Sequence, residues 1–102
     1  MKAMNGVSTR MIEVRLPKLF PLMSVHDALR VEQWYVQEGD IIQPNDRLIE
    51  VEAPPGLIDI PAPPTVTSPC RVAQIFKPQG ATIRLGDLLI SLEPTSDNSE
   101  EI

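Results

Sequence analysis

The sequence predicts an all-β fold, a flattened barrel or sandwich of two pseudo-symmetric four-stranded halves, with about eight short strands in all. Three observations predict it. The chain repeats itself at a spacing of 41 residues. The repeated segments alternate apolar and polar residues with the period of a half-buried strand. No segment carries a convincing helical pattern. "MSVHDALRVEQW" offers Ser24 as an N-cap, but at most two turns follow, and Val25 and Val31 are poor helix formers.

The repeat is dense and free of gaps. "RVEQWYVQEGDIIQPNDRLIEVE" (30–52) falls on "RVAQIFKPQGATIRLGDLLISLE" (71–93), with identities that include Arg30/Arg71, Val31/Val72, Gly39/Gly80, Asp46/Asp87 and Glu52/Glu93. Two copies are too few for a solenoid. They fit a two-fold pseudo-symmetric domain in which each half completes the other's core.

Taken in order, "IEVRL" alternates through Ile12, Val14 and Leu16 and reads as the first strand. "LRVEQWYV" alternates through Leu29 and Val31, then shifts phase to Trp34 and Val36. "RVAQIF" shifts at the same place, from Val72 to Ile75. A one-residue shift in both copies predicts a β-bulge in each. Gly39 and Gly80 mark equivalent turns that call for positive φ. Asn45 and Gly86 align ahead of Asp46 and Asp87 and predict a second recurring turn, since Asn and Gly best tolerate the left-handed region. "DRLIEVE" and "DLLISLE" close the two halves as strands. The domain is expected over 11–94, between disordered tails at 1–10 and at 95–102, the latter acidic.

Composition narrows the function classes. The chain has 102 residues, 42% of them hydrophobic, and only Phe20, Trp34, Tyr35 and Phe76 are aromatic, so the core is aliphatic. A net charge of −5 argues against nucleic acid or an anionic membrane as a main partner, because both demand a cationic face. The lone Cys70 makes no internal disulfide. No apolar run approaches a membrane span, and "MKAMNGVSTR" lacks a signal-type apolar stretch. A cytoplasmic protein is expected.

Several stretches together resemble the biotinyl/lipoyl carrier-domain family, over about Glu13 to Glu93. "LPKLFPLM" (16–23) resembles the opening "PKLSPTM" of lipoyl domains from 2-oxoacid dehydrogenase acyltransferases. "WYVQEGDIIQPNDRLIEVE" (34–52) is similar, in register, to that family's "KWLKKEGDxVxxGDxLxEIE". "IPAP" (60–63) resembles the "VPAP" that leaves its hairpin, and "GDLLISLE" (86–93) its final strand. The resemblance implies the lipoyl-like barrel-sandwich hybrid fold. It also implies a cofactor, lipoate or biotin, carried on a lysine at a hairpin tip, usually within Asp-Lys-Ala. Continuing the register from "IEVE" puts Pro54 at the Asp, Pro55 at the Lys and Gly56 at the Ala. The biotinyl motif Met-Lys-Met is absent as well. A proline has no amine with which to form the tethering amide, so the site is expected to be degenerate and no cofactor is expected. Pro55 and Gly56 suit positions i+1 and i+2 of a type II turn.

Two loops depart from the family, one of them about three residues longer between Met23 and Trp34, the other about four longer between Pro61 and Cys70. The second admits a different register, with "PAPPTVTSP" as the outer loop. No register brings a lysine there, since the lysines are Lys2, Lys18 and Lys77. Six of the eleven prolines fall between 54 and 69, but Leu57, Ile58 and Ile60 are too apolar for a solvated linker. A proline-protected hairpin is expected instead.

Other residues have plainer readings. Lys18 reads as a solvated strand-end charge. Lys77, before the second-half turn, is the outside candidate for modification. His26 and Asp27 read as loop surface, and Cys70 as a small, partly buried thiol. No metal-ligand spacing, phosphate loop or triad pattern occurs. The leading expectation is a non-catalytic protein-interaction module that lacks the carrier lysine. Its partner would be a protein, such as a dehydrogenase-complex component. Two alternatives stand beside it. One is a working lipoyl or biotin carrier modified at an unconventional lysine. The other is an adaptor-type lipoyl-like domain of a transporter, although such domains normally insert a long helical hairpin where this chain has a short loop. The sequence does not set the oligomeric state.

Overall fold

The computed structural model describes residues 10–95. The expected tail at 1–10 lies outside them except for Arg10, and the expected tail at 95–102 except for Thr95. Thr95 is held by its N–H and hydroxyl, both donating to the Pro69 carbonyl at 3.2 and 2.9 Å.

Eight strands follow in order: β1 (Ile12–Arg15), β2 (Leu29–Trp34), β3 (Ile41–Ile42), β4 (Arg47–Ala53), β5 (Gly56–Pro61), β6 (Cys70–Ile75), β7 (Thr82–Ile83) and β8 (Leu88–Pro94). They form two four-stranded antiparallel sheets, ordered β1-β8-β6-β3 and β5-β4-β2-β7. The sheets do not join into a closed barrel. Exchanging β1 with β5, β2 with β6, β3 with β7 and β4 with β8 turns one order into the other. Each sheet therefore takes two strands from each half of the sequence, and neither half has a sheet of its own.

The symmetry reaches single hydrogen bonds. Gly39 N–H donates to Val72 O, and Gly80 N–H to Val31 O, both at 2.8 Å. Tyr35 N–H donates to Leu48 O, and Phe76 N–H to Leu89 O, both at 2.9 Å. Asp46 and Asp87 each accept the N–H three residues upstream, from Gln43 and Arg84 at 2.8 and 2.9 Å. The expected bulges are present: β2 slips against β4 between Val31 and Gln33, and β6 slips against β8 between Val72 and Gln74. Gly39, Gly80 and Gly86 have φ of 95°, 88° and 90°, and Asn45 has 71°.

The core lies between the sheets and is almost wholly aliphatic. Val31, Val51, Ile83, Leu89, Ile90 and Leu92 have no exposed surface. Val66, within the loop 62–69, is also buried. That loop is thus anchored to the core through its middle, and the register with "PAPPTVTSP" as an outer solvent loop does not occur.

Candidate functional site

The β4–β5 hairpin is the feature that the sequence singles out. Its arms pair from Arg47 opposite Pro61 up to Glu52 opposite Leu57 and Ala53 opposite Gly56. Residues directly opposite share a face. Val51 and Ala53 turn inward and are buried, while Glu52 and Leu57 turn outward. Only Pro54 and Pro55 lie beyond the last pair, so the loop has two residues.

The expected type II turn is not formed. Gly56 is the first residue of β5 and does not have the positive φ that position i+2 of a type II turn requires. The physical reason is register. Pairing Ala53 with Gly56 draws the glycine into the strand and leaves the two prolines to reverse the chain. A Cβ at Gly56 would meet nothing within 4 Å. This position accepts an alanine, as in the tip motif of the resembled family.

A shallow cleft of about 420 Å³ lies on the outer face at the tip, bounded by Arg30, Glu32, Glu52, Leu57 and the Pro54–Gly56 turn. The Arg30 guanidinium bridges two carboxylates, Glu52 Oε1 at 2.6 Å and Glu32 Oε1 at 3.2 Å. The hydrogen bond and charge of Glu52 push the Arg30 pKa above its ordinary value. The pair is not peculiar to the tip. Arg71 and Glu93 repeat it on the other sheet, at the symmetry-equivalent positions. Leu57 leaves 55% of its surface in water beside the prolines. Arg30 lies opposite Glu52, so β2 begins at the tip end. The loop 17–28, which carries the 89% exposed Leu22, therefore enters the sheet at that end. The tip is an apolar knob beside a fixed ion pair. It offers no amine, thiol or hydroxyl.

The foot of the hairpin is locked by a cluster that sequence reasoning missed. The Tyr35 hydroxyl donates to Asp59 Oδ1 at 2.7 Å, Arg47 Nη1 reaches Asp59 Oδ2 at 3.1 Å, and the Arg47 guanidinium sits 5.1 Å from the centre of the Tyr35 ring. The hydrogen bond to Asp59 is the largest cause that pushes the Tyr35 pKa up to about 12, and the same bond lowers that of Asp59. Only the register of β5 brings Asp59 beside Tyr35, and no local pattern announces it.

The remaining candidates are dispersed. Lys77 is half-buried in the β6–β7 turn, where its carbonyl accepts the Trp34 indole N–H at 2.7 Å. Lys18 is exposed in the loop after β1. The Asp27 carboxylate accepts the Ser24 N–H at 2.8 Å, a turn-closing role. Cys70 is fully buried rather than partly so, and burial pushes its thiol pKa up. Arg71 cannot activate it, because it points outward to Glu93. Among the described residues no cluster of three or more His, Cys, Asp or Glu side chains could hold a metal ion, and no helix is long and apolar enough to cross a membrane.

Comparison with known proteins gives a consistent picture. The biotin/lipoyl family model, described as "Biotin-requiring enzyme", matches residues 12–92. The chain is 27% identical over 81 residues to the dihydrolipoyllysine-residue acetyltransferase component of pyruvate dehydrogenase complex from Staphylococcus aureus. It is 26% identical over 81 residues to the same component from Staphylococcus epidermidis. The matches cover 79% of this chain and 17% of each relative.

Proposed function

The chain belongs to the biotin/lipoyl domain family, and from that premise we propose that it is a carrier-type domain without the carrier amine, acting as a non-catalytic protein-interaction module. The observation that carries this reading is the tip. The β4–β5 hairpin closes on Pro54 and Pro55, with Gly56 opening β5, and the register leaves no other residue in the loop. The partner class is a protein component of a 2-oxoacid dehydrogenase or of another carrier-dependent complex. Support for that class comes from the acetyltransferase components that the chain matches over 17% of their length. The contact surface is the proline knob with Leu57, Arg30, Glu32 and Glu52. Two rigid prolines lose little conformational entropy on docking, and the Arg30–Glu52 pair fixes the charges beside them.

The test is the intact mass of the protein purified from its own host, with peptide mapping of Lys18 and Lys77. An unmodified mass, in cells whose other carrier domains are fully modified, is expected. A lipoyl or biotinyl adduct on either lysine would overturn the reading and make the protein a carrier with a displaced site. The contact surface is tested separately. Pro55→Ala and Leu57→Ser should each weaken binding to a purified dehydrogenase-complex component by about tenfold, the equivalent of about 1.4 kcal/mol. Unchanged binding by both variants would remove the tip from the interface.

A further inference from the structure

The two sheets end in pseudo-equivalent edge strands, β1 and β5, and the chain treats these edges differently. The registers against β8 and β4 match Glu13 with Asp59 and Arg15 with Pro61. On β5, Pro61 removes a backbone donor, and Asp59 is committed to Tyr35 and Arg47. These are ordinary ways of blunting an edge. On β1 there is no proline between Ile12 and Leu16, and the two outward side chains, Glu13 and Arg15, have opposite charge.

The direction of the free backbone groups follows from the hydrogen bonds. Leu16 N–H donates to Asp87 O at 2.8 Å, and Gly86 N–H donates to Leu16 O at 2.9 Å, so both Leu16 groups face the β8 side. The extra residue of the β1–β8 bulge, Leu89, lies on β8, so β1 itself alternates regularly. Val14 and Ile12 therefore also face β8, while Glu13 and Arg15 aim their N–H and C=O groups at the open edge. A cleft of about 420 Å³ runs beside that edge, between Val14 and Pro17 on one side and Ile60, Ala62 and Pro63 on the other.

We propose that this edge pairs with the same edge of a second copy of the chain, β1 antiparallel to β1 about a two-fold axis at Val14. Backbone parity and side-chain charge select this register together. With Val14 opposite the partner's Val14, Glu13 falls opposite the partner's Arg15, and Arg15 opposite the partner's Glu13. Both of those pairs are of the hydrogen-bonded kind, in which opposite residues exchange N–H···O=C bonds. Each also sets a carboxylate directly across from a guanidinium, the favourable cross-strand arrangement. Within one chain Arg15 Nη2 already reaches Glu13 Oε1 at 3.1 Å, so both groups lie on the same outer face, ready to exchange partners. The contact is isologous and closes on itself. It joins the two β1-β8-β6-β3 sheets into one continuous sheet and leaves the hairpin tips free.

The test is sedimentation equilibrium of the full 11.3 kDa chain, up to about 1 mM, with Glu13→Arg and Arg15→Glu variants whose fold is checked by circular dichroism. The wild-type chain should reach twice its monomer mass as concentration rises. Each single reversal places like charges opposite each other in both pairs and should weaken the dimer at least about tenfold. An equimolar mixture of the two variants should recover it, because both cross-chain pairs of the mixed dimer again set a guanidinium across from a carboxylate. The double variant carrying both reversals should also dimerise. A chain that stays monomeric throughout would overturn the proposal. So would a dimer indifferent to both reversals, or a mixture that fails to recover one.

Discussion

Replacing glycine by alanine at three positions gives opposite signs in one protein, and the structure says which. Gly39 and Gly80 have φ of 95° and 88°, well beyond the left-handed value of about 57° that other residues reach. An alanine Cβ at either would meet no atom within 4 Å, so the cost is backbone strain alone. Holding an L-residue in that region costs about 1–2 kcal/mol. Alanine also restricts the unfolded chain, which returns about 0.4–1 kcal/mol. The net loss is about 1 kcal/mol at each site. It should be the same at both, because each N–H makes the equivalent 2.8 Å bond across the pseudo-two-fold. Gly56 has no positive φ, sits at the start of β5 and likewise has open space at its Cβ position. Gly56→Ala carries no strain and keeps the unfolded-state gain, so it should stabilise by about 0.4–1 kcal/mol. Urea melts resolve this. With a slope of about 1 kcal/mol per M for so small a domain, the Gly39 and Gly80 variants should melt about 1 M earlier and the Gly56 variant up to about 1 M later. A loss at Gly56 equal to that at Gly39 would refute the turn geometry and restore a type II turn with Gly56 at i+2. Unequal losses at Gly39 and Gly80 would refute the symmetry.

Three further outcomes follow from burial and charge. The single tyrosine should titrate near pH 12 in the native protein and near 10 in denaturant, and Asp59→Ala should bring the native midpoint down, as followed by tyrosinate absorbance. The native state holds the Tyr35 proton more tightly than the unfolded chain does. The stabilisation is therefore complete below about pH 10 and lost as the pH rises through about 12. Leu92→Ala removes a fully buried side chain from the centre of β8 and should cost about 2–5 kcal/mol by chemical denaturation. Cys70 should resist thiol reagents in the folded protein and react at the ordinary rate once unfolded. Fast native labelling would contradict its burial.

Much of the fold was legible because the same signal was written twice. The phase shifts at Val31 to Trp34 and at Val72 to Ile75 became symmetry-related bulges, since a side chain must stay on its own face of the sheet. Gly39 and Gly80 were legible for a similar reason: positive φ selects glycine locally, wherever the rest of the chain goes. The candidate site was less open to reading. Its position, Pro54 to Gly56, followed from continuing the resembled family's register beyond "IEVE". Its turn geometry did not, because one residue of pairing decides whether Gly56 belongs to the loop or to the strand. The Tyr35–Arg47–Asp59 lock was invisible, because Tyr35 and Asp59 are 24 residues apart and meet only through β4.

The two-residue strands β3 and β7 were not read from the sequence. The sequence by itself determined the all-β class, the longer strands, the two-fold repetition, the aliphatic core and a hairpin tip with no lysine. These are consequences of local periodicity and of residue chemistry that no packing can alter. The tertiary structure alone decided that the two halves interleave, with two strands of each in either sheet. It also buried Cys70 completely, anchored Val66 in the core, and, among the described residues, left β1 an edge strand without the proline and the committed carboxylate that blunt β5. Each of these depends on which strands become neighbours. Long-range pairing settles that, through the burial of faces that only the assembled sheets bring together.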